Sequence, residues 1–174
     1  MNIITQINLV NMKKIILTVI IALFSLVSRA QLVQGEMLLG EQSKTEIKLK
    51  NNKAVNLYAA FREGNYPVHF IFSTDAVPLN SDKKEVIQFV FTTTVKRDGK
   101  IIGNVKRNPI PFFPGDMFMP VETFDFISIL SNIQTNSNDR ISEIPSGKYE
   151  VILEAKPIGV KGAIKPVRFL ITVN

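Results

Sequence analysis

The single histidine of the chain, His69, is the residue with the clearest potential for chemistry. A serine-histidine-aspartate triad would need it as general base, and Ser73 stands four residues further on. Four steps along an extended strand separate two side chains by roughly 13 Å, which is too far for a hydrogen bond. No G-x-S-x-G motif accompanies the pair. We therefore interpret His69 as a structural or surface residue beside Ile71, on the strand face opposite Val68 and Phe70.

Metal chemistry finds little support in the sequence. One histidine and no cysteine leave only carboxylates, which rarely suffice for zinc. Calcium needs clustered oxygen ligands, and none of the acids follows the D-x-[DN]-x-[DN]-G order. The candidate acids are Asp75, Asp82, Asp116, Glu122, Asp125 and Asp139. We interpret them as solvated loop carboxylates and predict no metal and no cofactor.

The segment 108–120, NPIPFFPGDMFMP, is the best candidate for a binding site. Four prolines in thirteen residues exclude a helix or a central strand and indicate a stiff loop or an edge segment. Stiffness reduces the entropy lost on binding, and aromatic and methionine side chains are enriched at protein interfaces. The predicted partner-binding residues are Phe112, Phe113, Met117, Phe118 and Met119. In the alternative interpretation, the segment folds back and plugs the open end of the fold.

Basic residues are scattered rather than continuous. They occur near two predicted turns, as Lys44, Lys48, Lys50 and Lys53 and as Lys96, Arg97, Lys100, Lys106 and Arg107. A nucleic-acid footprint would need a clustered basic stripe, so we predict no nucleic-acid partner. Lysines on strands commonly prevent edge-to-edge aggregation, and binding to anionic surface polymers is the alternative.

Six segments alternate apolar and polar residues with the period of β-strands. Their apolar positions are Ile47 and Leu49; Val55, Leu57, Ala59 and Phe61; Val68, Phe70 and Phe72; Ile87, Phe89, Phe91, Thr93 and Val95; Tyr149, Val151, Leu153 and Ala155; and Val167, Phe169, Ile171 and Val173. One apolar and one wet face are typical of antiparallel sheets. Residues 32–39 are predicted to add an edge strand.

Two turns connect these strands. Asp98-Gly99 favours a two-residue type I′ hairpin that places Val95 opposite Ile102. A three-residue loop, 51–53, keeps the apolar faces of the first two strands in register. Apolar residues three apart within 121–133 indicate one short helix, and 134–142 is a polar loop.

The 29 residues 145–173, at the C-terminal end, resemble the closing hairpin of bacterial immunoglobulin-like or fibronectin-type sandwiches. The likeness rests on PSGKYEV (145–151) and VRFLITV (167–173). It lacks the cysteine pair and core tryptophan of true immunoglobulin domains, and it implies a fold class without functional residues. We predict an all-β protein, an antiparallel immunoglobulin-like β-sandwich of seven to eight strands. An up-and-down β-barrel is the alternative.

The first thirty residues are typical of a secretory signal peptide. Lys13 and Lys14 precede an apolar stretch that is too short to span a bilayer, and Ser28-Arg29-Ala30 fits a cleavage site. Cleavage after Ala30 leaves a single domain, 31–174, and lowers the formal charge from +6 to +3. No later stretch is apolar and long enough to cross a membrane. The sequence therefore predicts export to the periplasm or cell surface of a bacterium.

These observations favour a non-catalytic binding module whose partner is another envelope or surface protein. Two alternatives remain. One is a hydrolase with an unlocated pair of carboxylates, and the other is a carrier of small hydrophobic ligands.

Overall fold

The structure, a computed structural model, describes residues 32–40, 46–75, 77, 79–132 and 143–174. Predictions on the leader (1–30), Lys44 and the polar loop with Asp139 (134–142) lie outside these residues, as does Ile133.

The described residues form ten strands, two α-helices and one turn of 3₁₀-helix. The strands are β1 (Leu32–Leu39), β2 (Glu46–Leu49), β3 (Val68–Asp75), β4 (Ile87–Arg97), β5 (Lys100–Lys106), β6 (Ile110–Phe112), β7 (Gly115–Met119), β8 (Gly147–Ile158), β9 (Lys161–Lys165) and β10 (Val167–Val173). The helices are α1 (Ala54–Arg62), the 3₁₀ turn η1 (Val121–Thr123) and α2 (Phe126–Ser131). Within the described ranges, no helix has the length and apolar character that crossing a bilayer requires.

The strands form two sheets, so the all-β prediction is confirmed. One sheet has the order β7-β3-β1-β9, and the other has the order β2-β10-β8-β4-β5, with β6 also paired to β4. The described ladders do not close, and the barrel alternative is therefore wrong. The strand count exceeds the predicted seven to eight. Most pairs are antiparallel, but β1–β9 and β2–β10 are parallel, and β1 lies between two strands rather than at an edge.

One chain segment links the two sheets at Pro166. Before it, β9 pairs with β1 in the four-stranded sheet; after it, β10 pairs with β8 in the six-stranded sheet. Proline has no backbone N–H for a ladder, which makes it compatible with such a break. A strand that passes from one sheet to the other holds two layers together at a corner.

Aromatic rings fill the space between the sheets. Phe70 on β3 packs against Phe89 and Phe91 on β4, with ring centroids 4.9 and 5.5 Å apart. Phe72 lies 5.1 Å from Phe70, and Phe112 of β6 completes the cluster at 5.6 Å. The inward faces predicted for β3, β4, β8 and β10 are confirmed, because their apolar alternate residues are buried.

The predicted strand over 55–61 is wrong, because this segment forms helix α1. Its buried residues, Ala54, Leu57 and Phe61, have helical spacing, whereas Val55 is 59% exposed. Phe61 packs against Phe126 of α2 and Phe169 of β10 at 5.0 and 6.2 Å. Leu57 and Phe61 are apolar positions both in the strand pattern, which repeats every two residues, and in the helix pattern, which repeats every 3.6 residues. Burial against α2 and β10 favours the helix.

The end of α1 has a sequence signal that strand periodicity conceals. Gly64 has φ +80°, and its N–H donates to the Phe61 carbonyl. The Asn65 N–H donates to the Ala60 carbonyl, which completes a Schellman motif. Because the helix α1 begins directly after residues 51–53, no strand follows them, and β2 makes no hairpin there. It pairs instead with β10, with Ile47 beside Ile171.

The helix predicted over 121–133 is confirmed in part. It is divided into η1 and α2 by Phe124 and Asp125. The side chains of Val121, Phe124, Phe126 and Leu130 are buried in the core. Ile129 lies over Gly103 of β5, so close that any larger residue there would overlap its side chain. The sequence therefore predicts helical structure in the correct segment, 121–133, but does not predict α1.

The two-residue turn at Asp98-Gly99 is confirmed, with φ of +50° and +76°. Its predicted register is wrong, because Val95 pairs with Gly103 rather than with Ile102. An irregularity between Val95 and Lys96 shifts the ladder by one residue. This is the behaviour of a β-bulge, which adds one unpaired residue to a strand.

The buried Tyr149 fixes the start of β8. Its hydroxyl donates to the Pro145 carbonyl at 2.6 Å, and the Arg97 guanidinium lies 5.5 Å from the ring centroid. Burial raises the pKa of Tyr149, because the phenolate would lose hydration. The phenol thus remains a donor and ties the incoming loop to the sheet.

Replacing Tyr149 with phenylalanine is expected to lower the free energy of unfolding by about 1–2 kcal/mol, because the Pro145 carbonyl would lose its donor. Urea unfolding at neutral pH would measure this loss. A change under about 0.5 kcal/mol would show that water replaces the hydroxyl at no cost.

Candidate functional site

The proline-aromatic segment occupies one edge of the sandwich. β6 pairs with the start of β4 in one sheet, and β7 pairs with β3 at the end of the other. Phe113 and Pro114 connect them. The prediction of an edge segment is therefore confirmed, although two short strands replace the extended loop.

Strand alternation divides the five predicted binding residues into two groups. Met119 is buried, and the half-buried Phe112 and Met117 pack against the core. Phe113 is 54% exposed and Phe118 is 70% exposed. The first group anchors the segment to the core, and the second group is exposed to solvent.

Phe118 lies over His69 on the outer face of the four-stranded sheet. Their ring centroids are 4.4 Å apart, and the residues are paired across β7 and β3. The Nδ1 atom of His69 is 3.1 Å from Oδ1 of Asp116, and the histidine side chain is only 16% exposed. His69 shares the outer face with Ile71, as predicted. Its surroundings are an aromatic ring and a carboxylate, without a serine at hydrogen-bond distance among the described contacts.

A cleft of about 560 Å³ opens beside Phe118, where β7 ends and β3 begins. Its lining includes Phe61, Arg62, Tyr66, Phe118, Met119 and Glu122. Three aromatic rings and a methionine make its walls apolar, and one cation and one anion stand among them. Such a combination is typical of ligand-binding clefts, in which apolar walls bury the ligand and a few polar groups orient it.

Tyr58 and Glu122 connect α1 with η1 next to this cleft. The Tyr58 hydroxyl donates a hydrogen bond to Oε1 of Glu122. This bond lowers the pKa of Glu122 and raises the pKa of Tyr58, because it favours the carboxylate and the neutral phenol together. The positive charge of Arg62 acts on both groups as a smaller effect. It reinforces the lowered pKa of Glu122 and partly offsets the raised pKa of Tyr58.

Replacing Tyr58 with phenylalanine should destabilise the protein in a pH-dependent way. Glu122 has a folded pKa below its ordinary value of 4.5, so its stabilisation is present above that value. It is lost as the pH falls through the folded pKa. We therefore expect the difference in urea midpoint between wild type and Tyr58→Phe to shrink from about pH 6 to about pH 3. A difference that stays constant would show that the hydroxyl acts through packing alone.

The acidic residues that the sequence offers as candidate calcium ligands lie apart from one another and form no cluster among the described residues. Asp116 faces His69, Glu122 faces Tyr58, and Asp125 accepts two hydrogen bonds from Arg107 at 2.6 and 2.8 Å. Asp75 and Asp82 are exposed elsewhere. No three acidic or histidine side chains come together as metal ligands in the part of the chain that the structure describes.

The basic residues also fail to form one surface. Lys48 lies on β2, whereas Lys100 and Lys106 lie on β5, at the opposite edge of the same sheet. Lys96 pairs with Glu150 at 3.1 Å, and Arg107 is held by Asp125. Each group is therefore separate, and several of its charges have local partners.

Sequence reasoning misses the contribution of α1 to the cleft. The alternating apolar pattern predicts a strand that ends at Phe61. Arg62 and Tyr66, which line the cleft, therefore have no predicted role. The Arg-Glu-Gly-Asn sequence at 62–65 is a helix-stop signal and could have identified the helix end.

No protein-family model matches the chain, and no curated protein matches its sequence.

Proposed function

We propose that the protein is an exported, non-catalytic binding module of the bacterial cell envelope, whose partner is another envelope or surface protein. Two exposed aromatic side chains of the proline-aromatic segment, Phe113 and Phe118, carry this proposal. We call these two side chains together the Phe113–Phe118 surface.

The support is energetic. Phe118 keeps 70% of its surface exposed on a strand whose neighbours, Met117 and Met119, anchor it to the core. A preformed, stiff segment loses little entropy on binding, and burying an aromatic ring contributes strongly at interfaces. Contiguous exposed apolar surface with a polar rim marks interaction sites, and Phe118 continues into the apolar wall of the cleft beside it.

The finer fold assignment belongs to the same proposal. An immunoglobulin-like sandwich commonly carries a tyrosine near the start of one late strand, bonded to a backbone carbonyl a few residues upstream. The Tyr149–Pro145 hydrogen bond has this form. Immunoglobulin-like domains serve widely as interaction modules, and this analogy of fold supports the proposal.

Export rests on the leader pattern in 12–30. N-terminal sequencing of the protein recovered from the periplasm or cell surface is expected to begin at Gln31. Recovery from the cytosol with the leader attached would contradict it.

The test of binding is an affinity capture from envelope extracts. The double variant Phe113→Ser/Phe118→Ser should lose the partners that the wild type retains, because its apolar contact area is removed. The matched control is Ile101→Ser/Leu170→Ser, which changes two exposed apolar residues on the other sheet. If both double variants are folded and retain the same partners, the Phe113–Phe118 surface is not the binding site.

A further inference from the structure

The four terminal strands of the two sheets differ in how their edges are protected. Exposed edges are commonly guarded by lysine or proline, which oppose pairing with another strand. Such guards occur in β2 (Lys48), β5 (Lys100 and Lys106) and β9 (Lys161 and Lys165), and β6 beside β5 contains Pro111. Strand β7, GDMFM, contains neither lysine nor proline. Among the described strands it is the terminal strand without either guard.

On its outer edge, β7 pairs with no strand among the described residues. β7 is hydrogen-bonded to β3 on one side and is the last strand of its sheet among the described residues. In an antiparallel pair, alternate residues direct N–H and C=O groups away from the partner strand. An extended backbone can satisfy such a row of donors and acceptors together, as in recognition by strand addition.

The side chains on the outer face of β7 indicate which side chains an added strand should have. Phe118 presents an apolar ring, and Asp116, two residues earlier, presents a carboxylate that is 56% exposed. An added strand would place alternate residues opposite these two. An apolar residue complements Phe118, and a lysine or arginine complements Asp116.

We propose that β7 accepts an extended segment of the partner protein as an additional strand, with an apolar residue against Phe118 and a basic residue, two positions away, against Asp116. This inference rests on the proposed function and specifies the partner and its mode of binding.

A second copy of this chain is the poorer occupant. Antiparallel pairing of two β7 strands aligns all five residues of each strand only when it is centred on Met117, and this register would place Asp116 of each copy opposite Phe118 of the other. Neither charge would meet an opposite charge, and the ring would lie against a carboxylate. The complementarity of β7 therefore favours a different sequence.

The test uses a library of random nonapeptides displayed on phage and selected on the purified protein. Enriched peptides should contain an apolar and a basic residue two positions apart. Hydrogen exchange of the bound protein should slow at amides of β7 (Gly115–Met119) that exchange rapidly in the free protein. Phe118→Lys, which gives β7 the guard that other edges have, should weaken binding about tenfold or more.

The control is Ile101→Lys on β5, where the replaced side chain is 63% exposed, and this variant should bind as wild type does. Circular dichroism checks that both variants are folded. Strand addition is wrong if no peptide is enriched, if protection appears only outside β7, or if the Phe118 variant binds normally. Self-association through β7, measured by light scattering and abolished by Phe118→Lys, would also overturn it.

Failure of strand addition is distinguishable from failure of the proposed function. An envelope partner that depends on Phe113 and Phe118 but leaves exchange in β7 unchanged would refute the added strand alone. Retention of all envelope partners by the serine double variant would refute the proposed function.

Discussion

Replacing Phe70 with alanine is expected to lower the free energy of unfolding by about 4 kcal/mol. Phe70 is fully buried and contacts four other rings, those of Phe72, Phe89, Phe91 and Phe112. Its removal would leave a cavity between the two sheets that rigid neighbours on β3 and β4 cannot fill. Because domains are stable by about 5–15 kcal/mol in total, the variant should be close to its unfolding threshold.

Equilibrium unfolding in urea measures this effect, and Phe113→Ala is the matched control. Phe113 is 54% exposed, so its truncation should change stability by no more than about 0.5 kcal/mol. A loss under about 1 kcal/mol for the Phe70 variant would mean that the sheets collapse around the gap. Comparing the two stability losses distinguishes buried phenylalanines, which stabilise the fold, from exposed phenylalanines, which are accessible to a partner.

Replacing Gly35 with alanine is expected to lower the free energy of unfolding by about 3 kcal/mol. A Cβ atom at Gly35 would overlap the Ile71 carbonyl and approach the Phe72 Cα within 2.7 Å. Gly35 pairs with Phe72 at the centre of the β1–β3 ladder, so relief of the overlap must displace backbone rather than a side chain. The four-stranded sheet, including the pairing that supports β7, should loosen as a result.

Gly159→Ala is the control for this prediction. Gly159 has φ +76°, and no atom lies within 4 Å of the position that an alanine Cβ would take, so its substitution adds backbone strain without overlap. We expect it to cost about 1 kcal/mol. Urea unfolding of both variants compares the two effects, and equal losses would contradict the close contact at Gly35.

The proposed binding surface is only partly predictable from sequence. The prolines and aromatic residues of 108–120 indicate an edge segment with exposed apolar side chains, which is where β6 and β7 lie. The sequence does not show which residues face inward, because the turn at Phe113-Pro114 sets the alternation of β7. Tertiary contacts bury Met119 and leave Phe118 exposed above His69.

The pairing of His69 with Asp116 is likewise invisible in the sequence. The two residues are 47 positions apart, and they meet because β3 and β7 pair in one register. A register shift of one residue would direct Asp116 to the other face. Long-range strand pairing therefore determines the chemistry of this surface.

Local patterns by themselves determined the β class, the inward faces of β3, β4, β8 and β10, and the turn at Asp98-Gly99. Alternation and turn residues act within a few neighbours, so they can be interpreted without knowing the partner strand. Tertiary structure decided that 54–62 is a helix, that β1 is central, and that β9 and β10 lie in different sheets. These outcomes depend on which distant apolar surface covers each segment, and Leu57 and Phe61 fit either period until Phe126 and Phe169 are in place.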